Sequence, residues 1–461
     1  MGMNRVMSRA KILLVPVMIL ALGISIFLGD YFLNSKNWVY SAGSPHIYNP
    51  ENNESKNIGC GLICDRDGNL LVDLTGDRIY ADIPALRMAT VHWLGDRSGN
   101  VSAPALSKYA KEIAGFNPVS GVYDYDGVGG EVQLTLSSKL QMAALEAMGE
   151  YKGTFAMINY KTGEILCAVS TPTFDPDNVP DIEGDTTGKY GAAYFNRFTR
   201  FTYAPGSIFK IVTMIAALES IPDLQEQTFT CTGEVEYGID KVTCEKIHGD
   251  QNVREAFMNS CNCAFAKISE QIGGKRLARY AKELGLLDSL TFDGIETPVG
   301  NIDSADQADV LVAWSAIGQH KDLINPATFL SLVGSIANEG ARPNMHIVEN
   351  IKINGVTTYQ VSDDTPKQLI SPETAKLVSE LMRYNVENYY GDEEFAGFTV
   401  CAKSGTAEVG GDKKPNAMFT GFVTDEELPI AFIVAIENGG YGRLTCIPVL
   451  EKVLMVCREG M

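Results

Sequence analysis

Histidine is scarce in this sequence, five in 461 residues, and neither H-E-x-x-H nor C-x-x-C occurs. The local spacings that hold zinc or attach haem are missing, so no metal and no cofactor are expected. Basic residues are few as well: 38 lysines and arginines stand against 57 aspartates and glutamates, a net charge of -19. Such a chain repels phosphate backbones and anionic lipid surfaces, which excludes nucleic acid as a partner. Any attraction for an anionic substrate must then be local. Repeats and low-complexity runs are absent, and 45% of the residues are hydrophobic, enough to bury the cores of two or three domains.

Charge is missing altogether from one long run, Ile12 to Gly29, which follows Arg5, Arg9 and Lys11 and ends at Asp30. Continued by Tyr31, Phe32 and Leu33, the run is long enough to cross a bilayer, and its basic flank is expected to stay cytoplasmic with the rest of the chain outside. The one small-x-small site, Ala21 to Gly23, leads into ISIFL rather than a polar start, so an uncleaved anchor is expected instead of a signal peptide. No cysteine follows closely, which argues against a lipoprotein. All ten cysteines lie beyond the anchor, where disulfides are permitted. Cys60 with Cys64 and Cys231 with Cys244 are candidate pairs; buried free thiols in a host that avoids oxygen are an equal reading.

Residues 34–130 carry short strand-like runs, GLICD and LLVDL, among Gly, Asn, Asp and Ser, and read as a membrane-proximal module after a tail at 1–11 and the anchor at 12–33. From residue 131 to 461 the pattern tightens. LSSKLQMAALEAMGEY has helical spacing, and TFAMINY and EILCAVS flank the turn Lys161-Thr162-Gly163 as a hairpin. Pro205 to about Leu287 reads as helical, then FTVCAKSGTAEV, NAMFTGFV and PIAFIVAIE read as strands before a terminal helix. The fold class expected is α+β: an antiparallel sheet built from both ends of the domain, flanked by helices, with an all-helical lobe and a cleft where the two meet.

Three short patterns occur in order: Ser207-x-x-Lys210, Ser260-x-Asn262 and Lys403-Ser404-Gly405. Each has decoys, such as Ser8 with Lys11, Ser35 with Asn37, Ser98 with Asn100, and Lys161-Thr162-Gly163. Only the first set puts one pattern at the start of a buried helix, one in the lobe and one in a late strand. A serine three residues before a lysine shares a helix face with it, and a desolvated lysine of lowered pKa can take the serine's proton. The ordered set resembles the penicillin-binding proteins and serine β-lactamases. VQLTLSSKLQ, KTGEILCAVSTPTFDPDN, YAPGSIFK, SCN, AIGQ, IANEG and AKSGTAEV are similar to the transpeptidase domain of class B penicillin-binding proteins. CGLICDRDGN also resembles a segment of that family, with Cys60 where arginine is usual.

The resemblance implies a membrane-anchored D,D-transpeptidase that cross-links peptidoglycan stem peptides and is acylated by β-lactams. Ser207 would be the nucleophile and Lys210 its base. Ser260 would relay a proton to the leaving amine, and Asn262 would orient Lys210. Lys403 would supply positive potential, Ser404 and Thr406 would bind the substrate carboxylate, and Gly405 would let the backbone approach. The backbone N–H groups of Ser207 and Thr406 would form the oxyanion hole. With no room for a polymerising domain, a membrane glycosyltransferase is the implied partner, met through the anchor and the module. A β-lactam sensor or a non-catalytic cell-wall scaffold is the alternative. A serine β-lactamase is disfavoured because E-x-x-L-N is absent between Asn262 and Lys403. His248 reads as a surface or structural residue, Cys261 and Cys263 as small buried hydrophobes, and Trp314 as core.

Overall fold

The computed structural model describes residues 3–43, 61–74, 78–113, 116–117, 122–123, 129–362 and 364–460. Cys60, and with it the Cys60–Cys64 pair, lies outside them. The uncharged run folds as part of one long helix, Met3–Gly43. Its segment Arg9–Tyr31 has a mean hydropathy of 2.7 and none of it is buried by protein, so a lipid core is the surroundings its side chains fit.

The central sheet is antiparallel, in the order Val400–Ala407, Asn416–Val423, Ile430–Ile436, Gly153–Asn159, Ile165–Thr171. Two strands come from the start of the domain and three from its end, as the hydrophobic runs imply. These strands are apolar almost continuously because both faces are covered, and alternate residues enter different cores. Phe155 and Met157 pack with Leu450 and Leu454 of the terminal helix Gly442–Glu459. Ala156 and Ile158 face Leu330 and Val333 of the helix Pro326–Ala337. Each fully buried side chain of this size contributes about 1.5–3 kcal/mol.

A second, six-stranded sheet joins sequence-distant pieces. Leu62–Cys64 runs parallel to Gly130–Leu134, which in turn pairs with Val348–Ile353. Chain from before the central sheet is thus stitched to chain from late in the molecule. The lobe holds the helices Lys210–Ser220, Asn262–Ile272, Gly274–Glu283 and Asp309–Ala316.

The lobe is not all-helical as expected. Thr228–Cys231 pairs with Gly249–Asn252, and Glu234–Tyr237 with Asp240–Thr243. The last two strands are joined by Gly238 at φ +70°, and their four-residue ladders are too short to stand out from helical neighbours by period alone.

Candidate active site

Pro205 and Gly206 lead into a tight 3-10 turn, Gly206–Phe209, that runs directly into the helix Lys210–Ser220. Gly206 has φ +54°, and a Cβ on it would stand 2.5 Å from the Thr406 carbonyl oxygen. Only glycine permits both. The turn therefore lies against the strand Val400–Ala407, with Ser207 at the cleft and Lys210 one turn further on, at zero exposure.

The Lys210 ammonium nitrogen lies 3.1 Å from Ser207 Oγ, 3.0 Å from Ser260 Oγ, 2.7 Å from Asn262 Oδ1 and 2.6 Å from the Ser260 carbonyl oxygen. Burial pushes this amine down to about 8, against partial opposition from nearby acidic groups.

Ser260 reaches this position through a break between helices. Val253–Met258 starts on a capping box, where Asn252 Oδ1 accepts from the Glu255 N–H and the Glu255 carboxylate accepts from the Asn252 N–H. The chain then leaves the helix; Ser260 adopts φ +51°, and Cys261 caps the next helix by accepting the Ala264 N–H on its sulfur. That left-handed residue turns both its hydroxyl and its carbonyl toward Lys210, a strained conformation of the kind that clusters at working sites. Asn262 Nδ2 donates to the Thr243 carbonyl at 2.9 Å, which aims its Oδ1 at Lys210.

The third motif lies on the edge strand of the central sheet. Lys403, also at zero exposure, extends to the same hydroxyl, 3.1 Å from Ser260 Oγ. Burial, and next the proximity of Lys210, hold it well below the ordinary lysine value. Two ammonium ions around one hydroxyl, with no carboxylate paired to either among the described residues, are costly, so the cluster favours a neutral amine able to accept a proton. A Cβ on Gly405 would meet the Pro205 carbonyl oxygen at 2.8 Å and the Ile208 nitrogen at 3.2 Å. The bare backbone at Gly405 is what lets strand and turn touch.

Two supports were not visible in the sequence. Tyr390, buried beside Phe419 with ring centroids 5.3 Å apart, accepts the Ser404 N–H at 2.8 Å and donates to Ser404 Oγ at 2.9 Å. Behind the turn, Gly318 at φ +75° accepts the Gly206 N–H at 2.9 Å. Replacing Tyr390 by phenylalanine strands an edge N–H, and a loss of about 1–2 kcal/mol in urea unfolding is expected. An unchanged unfolding midpoint would mean that the hydroxyl does not hold the strand.

These groups open into a cleft of about 700 Å³ lined by Ser207, Asn262, Thr406, Trp314, Tyr389 and Arg443. Trp314 is thus half-buried cleft wall, where core was expected; its helix packs one edge inward and leaves the ring facing the opening. Residues 153–454 match the penicillin-binding protein transpeptidase domain. The chain belongs to this family.

Among curated relatives, peptidoglycan D,D-transpeptidase PbpA of Mycolicibacterium smegmatis is 28% identical over 344 residues, covering 68% of this chain and 69% of that protein. Stage V sporulation protein D of Bacillus subtilis is 30% identical over 353 residues, covering 70% of this chain and 53% of that one. Of solved structures, the D,D-transpeptidase domain of a peptidoglycan glycosyltransferase from Eggerthella lenta superposes with a TM-score of 0.73 at 25% identity, covering 86% of this chain and 98% of that one. The ceftriaxone acyl-enzyme of penicillin-binding protein A from M. tuberculosis gives 0.75 at 22% identity, covering 86% and 97%.

In this penicillin-binding protein all eight residues expected at the site, Ser207, Lys210, Ser260, Asn262, Lys403, Ser404, Gly405 and Thr406, lie along one seam between sheet and lobe. Cys231 and Cys244 are free thiols, so the disulfide considered for them is not formed. The metal-free reading meets a further finding: Cys231, Cys244, His248 and Cys261 present four ligand atoms within 4.8 Å of one another. His248, expected to be a lone loop residue, is among thiols because the short lobe strands fold its loop back onto Cys261. No two of these residues stand in a C-x-x-C, so a search by local spacing misses the cluster.

Proposed function

We propose that this chain is a D,D-transpeptidase working by a serine acyl-enzyme, and that the eight motif residues carry the reaction. The supporting observation is one buried amine, that of Lys210, within hydrogen-bonding distance of Ser207, Ser260 and Asn262 together. Ser207 Oγ attacks the carbonyl between the last two D-alanines of a stem peptide, and its proton passes to neutral Lys210. Charge developing on the carbonyl oxygen faces the backbone N–H groups of Ser207 and Thr406, brought together by Gly206 and Gly405. As the C–N bond breaks, the proton returns through Ser260 to the leaving nitrogen and D-alanine departs. An amine of a second stem peptide then attacks the ester, loses its proton to the same relay, and restores Ser207 as the cross-link forms. A β-lactam enters by the same first step, but its leaving nitrogen stays tethered.

Among the described residues the outer edge of Val400–Ala407 has no strand partner within its sheet, and beyond Ser404, whose N–H is held by Tyr390, an extended peptide can lie along it, with Ser404 and Thr406 on the face that takes the terminal carboxylate. With Lys210 neutral, its repulsion of Lys403 is relieved, and Lys403 is the amine of the pair that adds positive potential in an acidic protein. The proposed layout is a cytoplasmic tail at 1–11, a membrane anchor at 12–33, a membrane-proximal module at 34–130 and the catalytic region at 131–461, held outside the membrane. The polymerising partner is then a membrane glycosyltransferase that supplies nascent strands.

The test is turnover by the full-length chain in detergent of a pentapeptide-bearing disaccharide with an added amine acceptor. Release of D-alanine together with an amine-linked product is expected; a folded protein that yields neither contradicts the reading. The pH profile follows from Lys210: because its folded pKa lies below the ordinary lysine value, at about 8, the neutral base accumulates as pH rises through that value. Acylation by benzylpenicillin is expected to climb roughly tenfold per pH unit below 8 and to level above it. A flat profile from pH 6 to 9 would remove Lys210 as the base.

A further inference from the structure

The thiol cluster beside the active site has the dimensions of a tetrahedral metal centre. Around a zinc ion with Zn–S near 2.3 Å and Zn–N near 2.05 Å, the sulfur–sulfur edge of a tetrahedron is about 3.8 Å and the sulfur–nitrogen edge about 3.6 Å. Cys244 Sγ lies 3.9 Å from Cys261 Sγ and 3.5 Å from His248 Nδ1. All four ligand atoms, with Cys231 Sγ included, fall within 4.8 Å of one another. Three sulfurs and one imidazole, without carboxylate, form the soft donor set that selects zinc over magnesium or calcium.

The ligands are also presented by firm backbone. Cys231 ends the strand Thr228–Cys231 and is buried. Cys244 follows Asp240–Thr243, with its N–H donated to the Gly233 carbonyl at 2.8 Å. His248 precedes Gly249–Asn252. Cys261, at zero exposure, accepts the Ala264 N–H on its sulfur at a helix N-terminus. Free thiols so close in a compartment that permits oxidation also need something to keep them from pairing. Cys263, the next thiol along, is outside the set and serves as an internal control.

We propose that Cys231, Cys244, His248 and Cys261 bind one zinc ion as a closed structural site. Four protein ligands leave no open position, so the ion does no chemistry on substrate. Its work is positional. Cys261 sits between Ser260 and Asn262, and Cys244 follows Thr243, whose carbonyl holds the Asn262 amide at 2.9 Å. The ion ties these two segments together on both sides of Asn262 and fixes the cleft wall formed by Thr243, Cys244 and His248. Binding displaces the thiol protons and leaves the ligands otherwise unchanged.

The test uses the full-length chain in detergent, reduced, gel-filtered and assayed for metal by elemental analysis. One zinc per chain is expected, retained in Cys263→Ser and lost in Cys244→Ser. His248→Ala, on a half-exposed loop, is expected to fold and to bind zinc at least tenfold more weakly. Cobalt in place of zinc should give the intense visible bands of a tetrahedral thiolate site, and chelation should lower the melting temperature by several degrees, restored by zinc. The proposal is overturned by a reduced, folded protein that takes up no zinc, by equal binding in Cys244→Ser and wild type, or by an intact mass two hydrogens light with a disulfide within the set. Acylation of Ser207 is read separately, so loss of the zinc site leaves the acyl-transfer reading standing and the reverse also holds.

Discussion

Replacing Lys210 by methionine is expected to slow acylation by benzylpenicillin about 10³-fold, within the range that a positioned general base supplies. The same change is expected to alter stability by no more than about 1 kcal/mol. Methionine nearly fills the stem's volume and removes a buried amine that lacks a carboxylate partner among the described residues, which offsets the cost of leaving the Ser260 carbonyl and Asn262 Oδ1 without their donor. The two readouts together separate roles. If Lys210 only braced the turn through Ser260 and Asn262, stability would fall and acylation would follow it modestly. If it takes the Ser207 proton, rate collapses while the melting temperature holds. Rapid acylation by Lys210→Met would rule out the base assignment.

A second large effect is expected from one added methyl group. In Gly405→Ala the new Cβ would meet the Pro205 carbonyl oxygen at 2.8 Å and the Ile208 backbone nitrogen at 3.2 Å. Those atoms belong to the turn that carries Ser207, so strand and turn must part by several tenths of an ångström. The two N–H groups that face the developing oxyanion then no longer point at one place. A loss of about 10² in acylation rate is expected, with little change in unfolding midpoint if the opening is confined to the cleft. Stopped-flow acylation beside urea unfolding distinguishes this from general destabilisation. An alanine variant as fast as wild type would mean that close backbone approach at Gly405 is not needed.

Much of the site is legible in the sequence because its chemistry is tied to short patterns whose context can be read. A lysine in YAPGSIFKIVTMIAALES has no polar face to occupy, and its order with Ser260-x-Asn262 and Lys403-Ser404-Gly405 is what singles out Lys210. The sheet is legible for the same reason: its strands are long apolar runs buried on both faces. What sequence period does not carry is geometry set by distant contacts. Nothing local marks Tyr390 as the partner of Ser404, or Trp314 as cleft wall, because both depend on which surface packs against their helices. Ser260 at φ +51° looks, in sequence, like the middle of one helix rather than the break between two. The four short lobe strands have no period that sets them apart from helix, and the loop that carries His248 toward Cys261 is hidden with them. Ligands scattered from 231 to 261 are invisible to any rule based on adjacent spacing.

The most direct measurement is the intact mass of the full-length chain in detergent with benzylpenicillin, followed over hours beside Ser207→Ala. One adduct per chain is predicted, mapped to the peptide that contains Ser207, persistent, and absent from the variant. An adduct formed equally well by Ser207→Ala, or none on a demonstrably folded wild-type protein, would contradict the assignment of Ser207 as the nucleophile of an acyl-transfer enzyme.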